Sequence, residues 1–192
     1  MSALRQSYPT VTKQEYFNFR EYREGKYELH DGTILAMAGG TPSHNRIEVA
    51  LTTQMGVSVD KSRCEVFSSN QSVAIEEYGN YYYPDATVTC GETHFDERDN
   101  ITNPVLIIEV LSRSTALYDR NTKFERYKTL PTLEYFLLVW QDTPRIEVFT
   151  RPKTTGDEWK ETTIEGLDAE LSLPLFLKPL QLSEIYAKVT FT

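Results

Sequence analysis

Apolar and polar positions along the chain alternate in short runs that change period several times. Tyr16, Phe17, Phe19 and Tyr22 follow Thr12-Lys13-Gln14-Glu15, a Thr-x-x-Glu capping box, so the spacing predicts a helix from Thr12 that stops at Gly25. Tyr27 to His30 and Ile34 to Met37 flank Asp31-Gly32, the pair a two-residue hairpin turn prefers. Ile47, Ala50, Leu51 and Met55 then recur at helical spacing, predicting a helix from about Ser43, its N-cap, to Val59. Short strand-like runs follow at 65–67, 72–75 and 85–90, with a turn at Gly79-Asn80.

Val105 to Leu111 is apolar on both faces apart from Glu109, the pattern of a central strand covered on both sides. Ser112, Ser114 and Thr115 are candidate caps for a helix in which Arg120, Lys123, Phe124, Tyr127 and Leu130 form one stripe before Pro131 ends it. Leu133 to Trp140 and Arg145 to Thr150 read as a further hairpin, Trp159 to Ile164 as an edge strand, and Ser183 to Val189 as a closing helix. Helices interrupting a run of strands give an α/β (α+β-like) chain, with a mixed central β-sheet flanked by helices.

Composition narrows the function. The 192 residues suit one domain, and 40% apolar with 25% charged residues is ordinary for a folded protein. A formal charge of −8 gives no overall basic field for non-specific nucleic-acid binding, so such a contact has to be local. The N-terminus lacks an apolar signal core and no run approaches the ~20 apolar residues of a membrane span; no membrane association and a cytoplasmic location are expected. Cys64 and Cys90, far apart and in no zinc spacing, read as two unpaired buried residues in a reducing compartment.

The chemistry concentrates in two carboxylates and a lysine. Asp85 opens a strand that puts Thr87 and Thr89 on its own face. Glu109 shares a face with Val105, Ile107 and Leu111, where an ionised carboxylate needs a partner: a divalent cation, a structural ion pair, or a proton held by a raised pKa. Lys123 follows Asp119 by four residues, which is either an exposed helix pair worth about 0.2–0.5 kcal/mol or, on a core-facing stripe, a buried cation that needs a carboxylate. His44 in its helix's first turn reads as a capping or packing residue with a phosphate contact as the alternative, and His30 and His94 as solvent or turn residues. The chain has neither a phosphate-cradling glycine loop nor a G-x-S-x-G serine setting.

Pro84-Asp85, then Ile107 to Thr115, then Tyr118-Asp119-Arg120 with Lys123 and Tyr127, resembles the Uma2 (DUF820) family of endonucleases, abundant in cyanobacteria, over about residues 12–187. Tyr27 to Gly32 and His44 strengthen the resemblance. It implies the restriction-endonuclease-like PD-(D/E)XK fold, a DNA substrate, and Mg²⁺ (Mn²⁺ possible) held by Asp85 and Glu109, with the Val110 carbonyl and Glu28 as further ligands. The superfamily's lysine two residues after the glutamate is replaced by Leu111, and the resemblance implies that Lys123 takes its work. The acidic balance and Leu111 keep open an inactive nuclease-fold binding or assembly module. The aromatic content, with Tyr81, Tyr82, Tyr83 and Phe136, leaves a homodimer as a further expectation.

Overall fold

The Thr12 hydroxyl accepts from the Glu15 amide while the Glu15 carboxylate accepts from the Thr12 amide at 2.7 Å. This reciprocal cap starts helix α1 (Lys13–Glu21) in a computed structural model that describes residues 10–37, 39–111, 116–154 and 158–191. The helix ends at Glu21, short of Gly25. Strands β1 (Tyr27–His30) and β2 (Thr33–Ala36) form the expected hairpin, with Asp31 and Gly32 both left-handed at φ 48° and 78°. Helix α2 (Pro42–Ser58) is capped by Thr41 rather than Ser43, since Pro42 takes the first helical position.

The chain continues through β3 (Cys64–Ser68), β4 (Val73–Ile75), a 3₁₀ turn, and β5 (Asn80–Tyr82). Three consecutive tyrosines show no alternation, which is why β5 was not legible as a strand. Next come β6 (Ala86–Cys90) and β7 (Leu106–Leu111), the expected central strand. A helical segment then runs as α3 (Ala116–Tyr118), a π turn (Asp119–Lys123) and α4 (Phe124–Tyr127); the candidate caps Ser112, Ser114 and Thr115 lie outside the described residues. Strands β8 (Tyr135–Trp140), β9 (Arg145–Thr150), β10 (Lys160–Glu165), β11 (Glu170–Leu171) and β12 (Leu180–Gln181) precede α5 (Leu182–Ile185).

Two sheets stack. The larger has the order β10-β9-β8-β7-β6-β3, parallel between β7 and β8 and antiparallel elsewhere, so it is the mixed sheet expected. One face packs Ala86, Val88, Ile108 and Val110 against Ile47, Leu51 and Met55 of α2. The other packs Ile107, Phe136 and Leu138 against Phe124, Tyr127 and Tyr82. Tyr82 belongs to the smaller sheet, β2-β1-β5-β4, whose far side carries Leu29, Ile34, Ala74 and Tyr81 against Tyr16 and Phe17 of α1. Alternation along β1 thus turns Leu29 toward α1 and Glu28 and His30 toward the large sheet.

Two expectations change. Strands β3 and β6 pair with Cys64 opposite Cys90, and the two form a disulfide with Cα atoms 4.0 Å apart, so the cysteines are not unpaired. A separation of 26 residues carries no information about that register. Tyr81, Tyr82, Tyr83 and Phe136 are all buried within the chain, so the aromatics behind the dimer expectation fill its own core. Among the described residues no helix is long and apolar enough to cross a membrane.

Candidate active site

The register of β6 and β7 pairs Ala86 with Ile108, so Asp85, immediately before β6, stands at the strand end next to Glu109 of β7. Asp85 Oδ2 accepts from the Val110 amide at 2.6 Å, which ties the carboxylate to the strand bearing Glu109. Its Oδ1 lies 2.9 Å from His44 Nε2, brought over by the first turn of α2. His44 is therefore part of the site, and its pKa is raised: burial opposes its charge, but the Asp85 hydrogen bond and charge outweigh that.

Glu109 is 5% exposed, and its Oε1 accepts from the Tyr127 hydroxyl at 2.8 Å and from Lys123 Nζ at 3.1 Å. Lys123 Nζ also reaches Glu28 Oε1 at 3.2 Å and stands 3.9 Å from Asp119 Oδ1. Lys123 is thus a buried cation among carboxylates and not an exposed helix pair. Burial works against its charge, yet Glu109, Glu28 and Asp119 together raise its pKa well above the usual lysine value. The carboxylates differ from one another. Burial, with the nearby Asp119, Asp85 and Glu28 charges, holds Glu109 well above the usual carboxylate range despite Lys123. Burial also disfavours charge on Glu28, but Lys123, His30 and the Tyr83 amide bring its pKa down to about 2.

Both Glu28 oxygens are engaged: Oε1 by Lys123 and by the Tyr83 amide (2.7 Å), Oε2 by His30 Nε2 (2.7 Å). His30 is buried rather than solvent-facing, because period-two alternation places it on the same side of β1 as Glu28; its Nδ1 meets the Tyr118 hydroxyl. His94 is exposed, as expected. Glu109, Lys123 and Glu28 meet where β1 and β7 face the helical segment, and Asp85, held to His44 and the Val110 amide, stands close enough for its charge to raise the Glu109 pKa.

The π turn explains part of this arrangement. Its extra residue per turn interrupts the α spacing, a feature frequent at functional sites, and it buries Asp119 and Lys123 together while Arg120 points elsewhere. Arg120 leaves the expected inward stripe and pairs with Glu147 and, at 2.8 Å, with Glu161. Glu147 is 1% exposed and also takes Arg145 Nη2 at 2.8 Å and Trp140 Nε1 at 3.2 Å. The sequence did carry its signal: a lone glutamate among Ile146, Val148 and Phe149 is the pattern that singled out Glu109. Glu48 stands four residues after His44 and so on the same helix face, a spacing visible in the sequence.

Among the described residues, one group of His, Asp, Glu and Cys side chains could hold a metal ion: His44, Glu48 and Asp85, with ligand atoms all within 4.8 Å of one another. Asp85 thus belongs to a donor set suited to a divalent cation, beside a second buried carboxylate, Glu109.

The Uma2 family model, described as "Putative restriction endonuclease", matches residues 13–184. The chain belongs to the Uma2 family. Two Synechocystis sp. (strain ATCC 27184 / PCC 6803 / Kazusa) proteins are similar to this Uma2 chain. The "Uncharacterized protein slr1290" is 37% identical over 152 residues, 79% of each chain, and the "Uncharacterized protein sll1609" is 35% identical over 164 residues, 84% of this chain and 91% of that one. A crystal structure of a "putative nuclease belonging to DUF820" from Anabaena variabilis ATCC 29413 superposes with a TM-score of 0.69 at 17% identity, over 92% of this chain and 98% of that one. That likeness establishes a shared fold. Within this Uma2 chain, Leu111 is 2% exposed and packs in the core with Ile107 and Phe136, so the only described lysine at Glu109 is the one from the π turn.

Proposed function

We propose that this Uma2 protein is a divalent-metal-dependent endonuclease that hydrolyses DNA phosphodiester bonds. The observation that carries the reading is the juxtaposition of Asp85 and Glu109 on adjacent strands with the buried ammonium of Lys123 at 3.1 Å from Glu109. Asp85, Glu109 and the Val110 carbonyl would hold Mg²⁺ or Mn²⁺. Bound there, the ion would supply an activated water and offset charge on the phosphate.

The chain's own groups do the rest. Lys123 stays charged at neutral pH and donates to a phosphate oxygen or to water, the work that a lysine at position 111 would do in the superfamily pattern. Glu28 accepts from Lys123 through Oε1 and holds its ammonium in place, and it would be a further ligand of the ion. Tyr127 and the Val110 amide orient the two carboxylates. The protein is acidic overall, but Arg20 and Lys26 lie over the Tyr83 ring (5.4 and 5.9 Å to its centroid), two residues from Asp85, and Arg98 lies over Phe17. They give DNA a local cationic border.

Purified protein should nick supercoiled plasmid with Mg²⁺ or Mn²⁺, and Asp85→Ala or Glu109→Ala should lower the rate about 100-fold or more. Metal-dependent nicking that persists undiminished in homogeneous Asp85→Ala protein refutes the assignment. A chain that binds Mn²⁺ through Asp85 and Glu109 and cuts no DNA supports the assembly-module reading instead.

A further inference from the structure

We infer that His44, Glu48 and Asp85 form a second cation seat, one with a nitrogen donor, which shares the Asp85 carboxylate with the seat proposed at Glu109 and favours a transition-type divalent ion such as Mn²⁺ over Mg²⁺. The inference deepens the proposed function and rests on its reading of Asp85 as a metal ligand. It does not follow from Asp85 and Glu109, because two of its three donors come from α2.

Helix α2 presents these donors rigidly. Ile47, Leu51 and Met55 are fully buried against the sheet, so the backbone carrying His44 and Glu48 is fixed, and their spacing of four places both on one face. One ligand atom from each of His44, Glu48 and Asp85 lies within 4.8 Å of the others. The His44 Nε2 to Asp85 Oδ1 separation is 2.9 Å. Neighbouring corners of an octahedron with metal–ligand bonds of about 2.1 Å are about 3.0 Å apart, so a cation can replace the proton between these atoms with little movement. The Ser69 hydroxyl donates to Glu48 Oε1 at 2.6 Å, the kind of outer hydrogen bond that orients a metal-binding carboxylate.

Gly40 supplies an independent observation. A Cβ built there would lie 2.8 Å from His44 Cδ2 and 3.0 Å from Cγ, so a side chain at position 40 collides with the imidazole. Gly40 is absent from the positive-φ glycines, so its backbone does not call for glycine; the room it leaves is for the ring. A capping role for residue 44 needs no such clearance, since the cap runs from its backbone amide to the Thr41 hydroxyl.

The donor chemistry selects the ion. Mg²⁺ prefers oxygen ligands and keeps several waters, whereas an imidazole nitrogen beside carboxylates suits Mn²⁺ and later first-row ions. Pulsed electron paramagnetic resonance of the full chain loaded with Mn²⁺ tests the seat without reference to activity. We expect imidazole nitrogen coupling in the native protein and in Glu109→Gln, and its loss in His44→Ala, in which His30 and His94 remain. Glu48→Gln should weaken Mn²⁺ binding about tenfold in calorimetry, and Gly40→Ala should reduce both coupling and affinity through the displaced ring. Circular dichroism melts check that each variant is folded; if His44→Ala is not, His44→Asn takes its place. Bound Mn²⁺ without imidazole coupling, or coupling that survives in a folded His44 variant, overturns the inference. Coupling in a protein that cuts no DNA leaves the seat standing and removes the nuclease reading; Mn²⁺-dependent cutting without coupling does the reverse.

Discussion

Replacing Lys123 by methionine keeps the length and most of the packing of the side chain and removes one charge. Its ammonium sits 3.1 Å from Glu109, 3.2 Å from Glu28 and 3.9 Å from Asp119, and all four residues are 5% exposed. Removing one partner of a buried ion pair costs about 3–5 kcal/mol, because the remaining charges keep their desolvation penalty. For a chain of this size each kcal/mol moves Tm by about 2–4 °C, so Lys123→Met should melt about 6–20 °C lower at pH 8. The gap should narrow at pH 5. Without the cation, Glu109 loses the charge that opposes its upward shift, its folded pKa rises further above the unfolded value, and the native state takes up its proton as the pH falls, which relieves the repulsion. In the native protein the Lys123 pKa is raised, so its contribution is present throughout this range, below 10.5. Calorimetric or circular dichroism melts at the two pH values give the numbers. A Tm at pH 8 within about 1–2 °C of the native value would mean an exposed pair worth about 0.2–0.5 kcal/mol and would refute the buried-cation geometry.

Two further predictions concern the supports of the site. Glu28, with its folded pKa lowered to about 2 from 4.5, contributes about 3 kcal/mol that is present above pH 4.5 and disappears between pH 4.5 and 2, so Glu28→Gln should flatten the acid limb of a plot of urea midpoint against pH. An acid limb unchanged by that substitution would sink the assignment. Among the described residues, Arg120→Ala leaves the buried Glu147 with Arg145 and Trp140 as partners, and since Arg120 is about a third exposed the loss should be about 1–2 kcal/mol; Arg120→Ala/Glu147→Leu should recover part of it in urea melts.

Much of the local structure was legible because it depends on neighbours in the chain. The capping box at Thr12, the two left-handed residues at Asp31-Gly32, and the run of β7, apolar but for Glu109, are all effects of a few adjacent residues, and all appear as expected. The cost of a glutamate in that run was legible for the same reason, and so was the need for a partner. Identifying Lys123 as that partner was not: a spacing of four fits an exposed pair equally well, and only the packing of Phe124 and Tyr127 onto the sheet turns it inward.

The sequence by itself therefore determined most of the elements, though not β5, β11 or β12, together with the mixed α and β class and the demand for charge compensation at Glu109, all of which follow from periodicity and from the price of burying charge. The tertiary structure alone decided which groups meet. Register set Cys64 opposite Cys90 and Asp85 next to Glu109, and the facing of β1 toward the large sheet brought Glu28 to Lys123. The first turn of α2 carried His44 to Asp85. Those pairs lie from 24 to 95 positions apart, and such pairings arise from how sheets and helices stack, which no local pattern of hydrophobic and polar positions encodes.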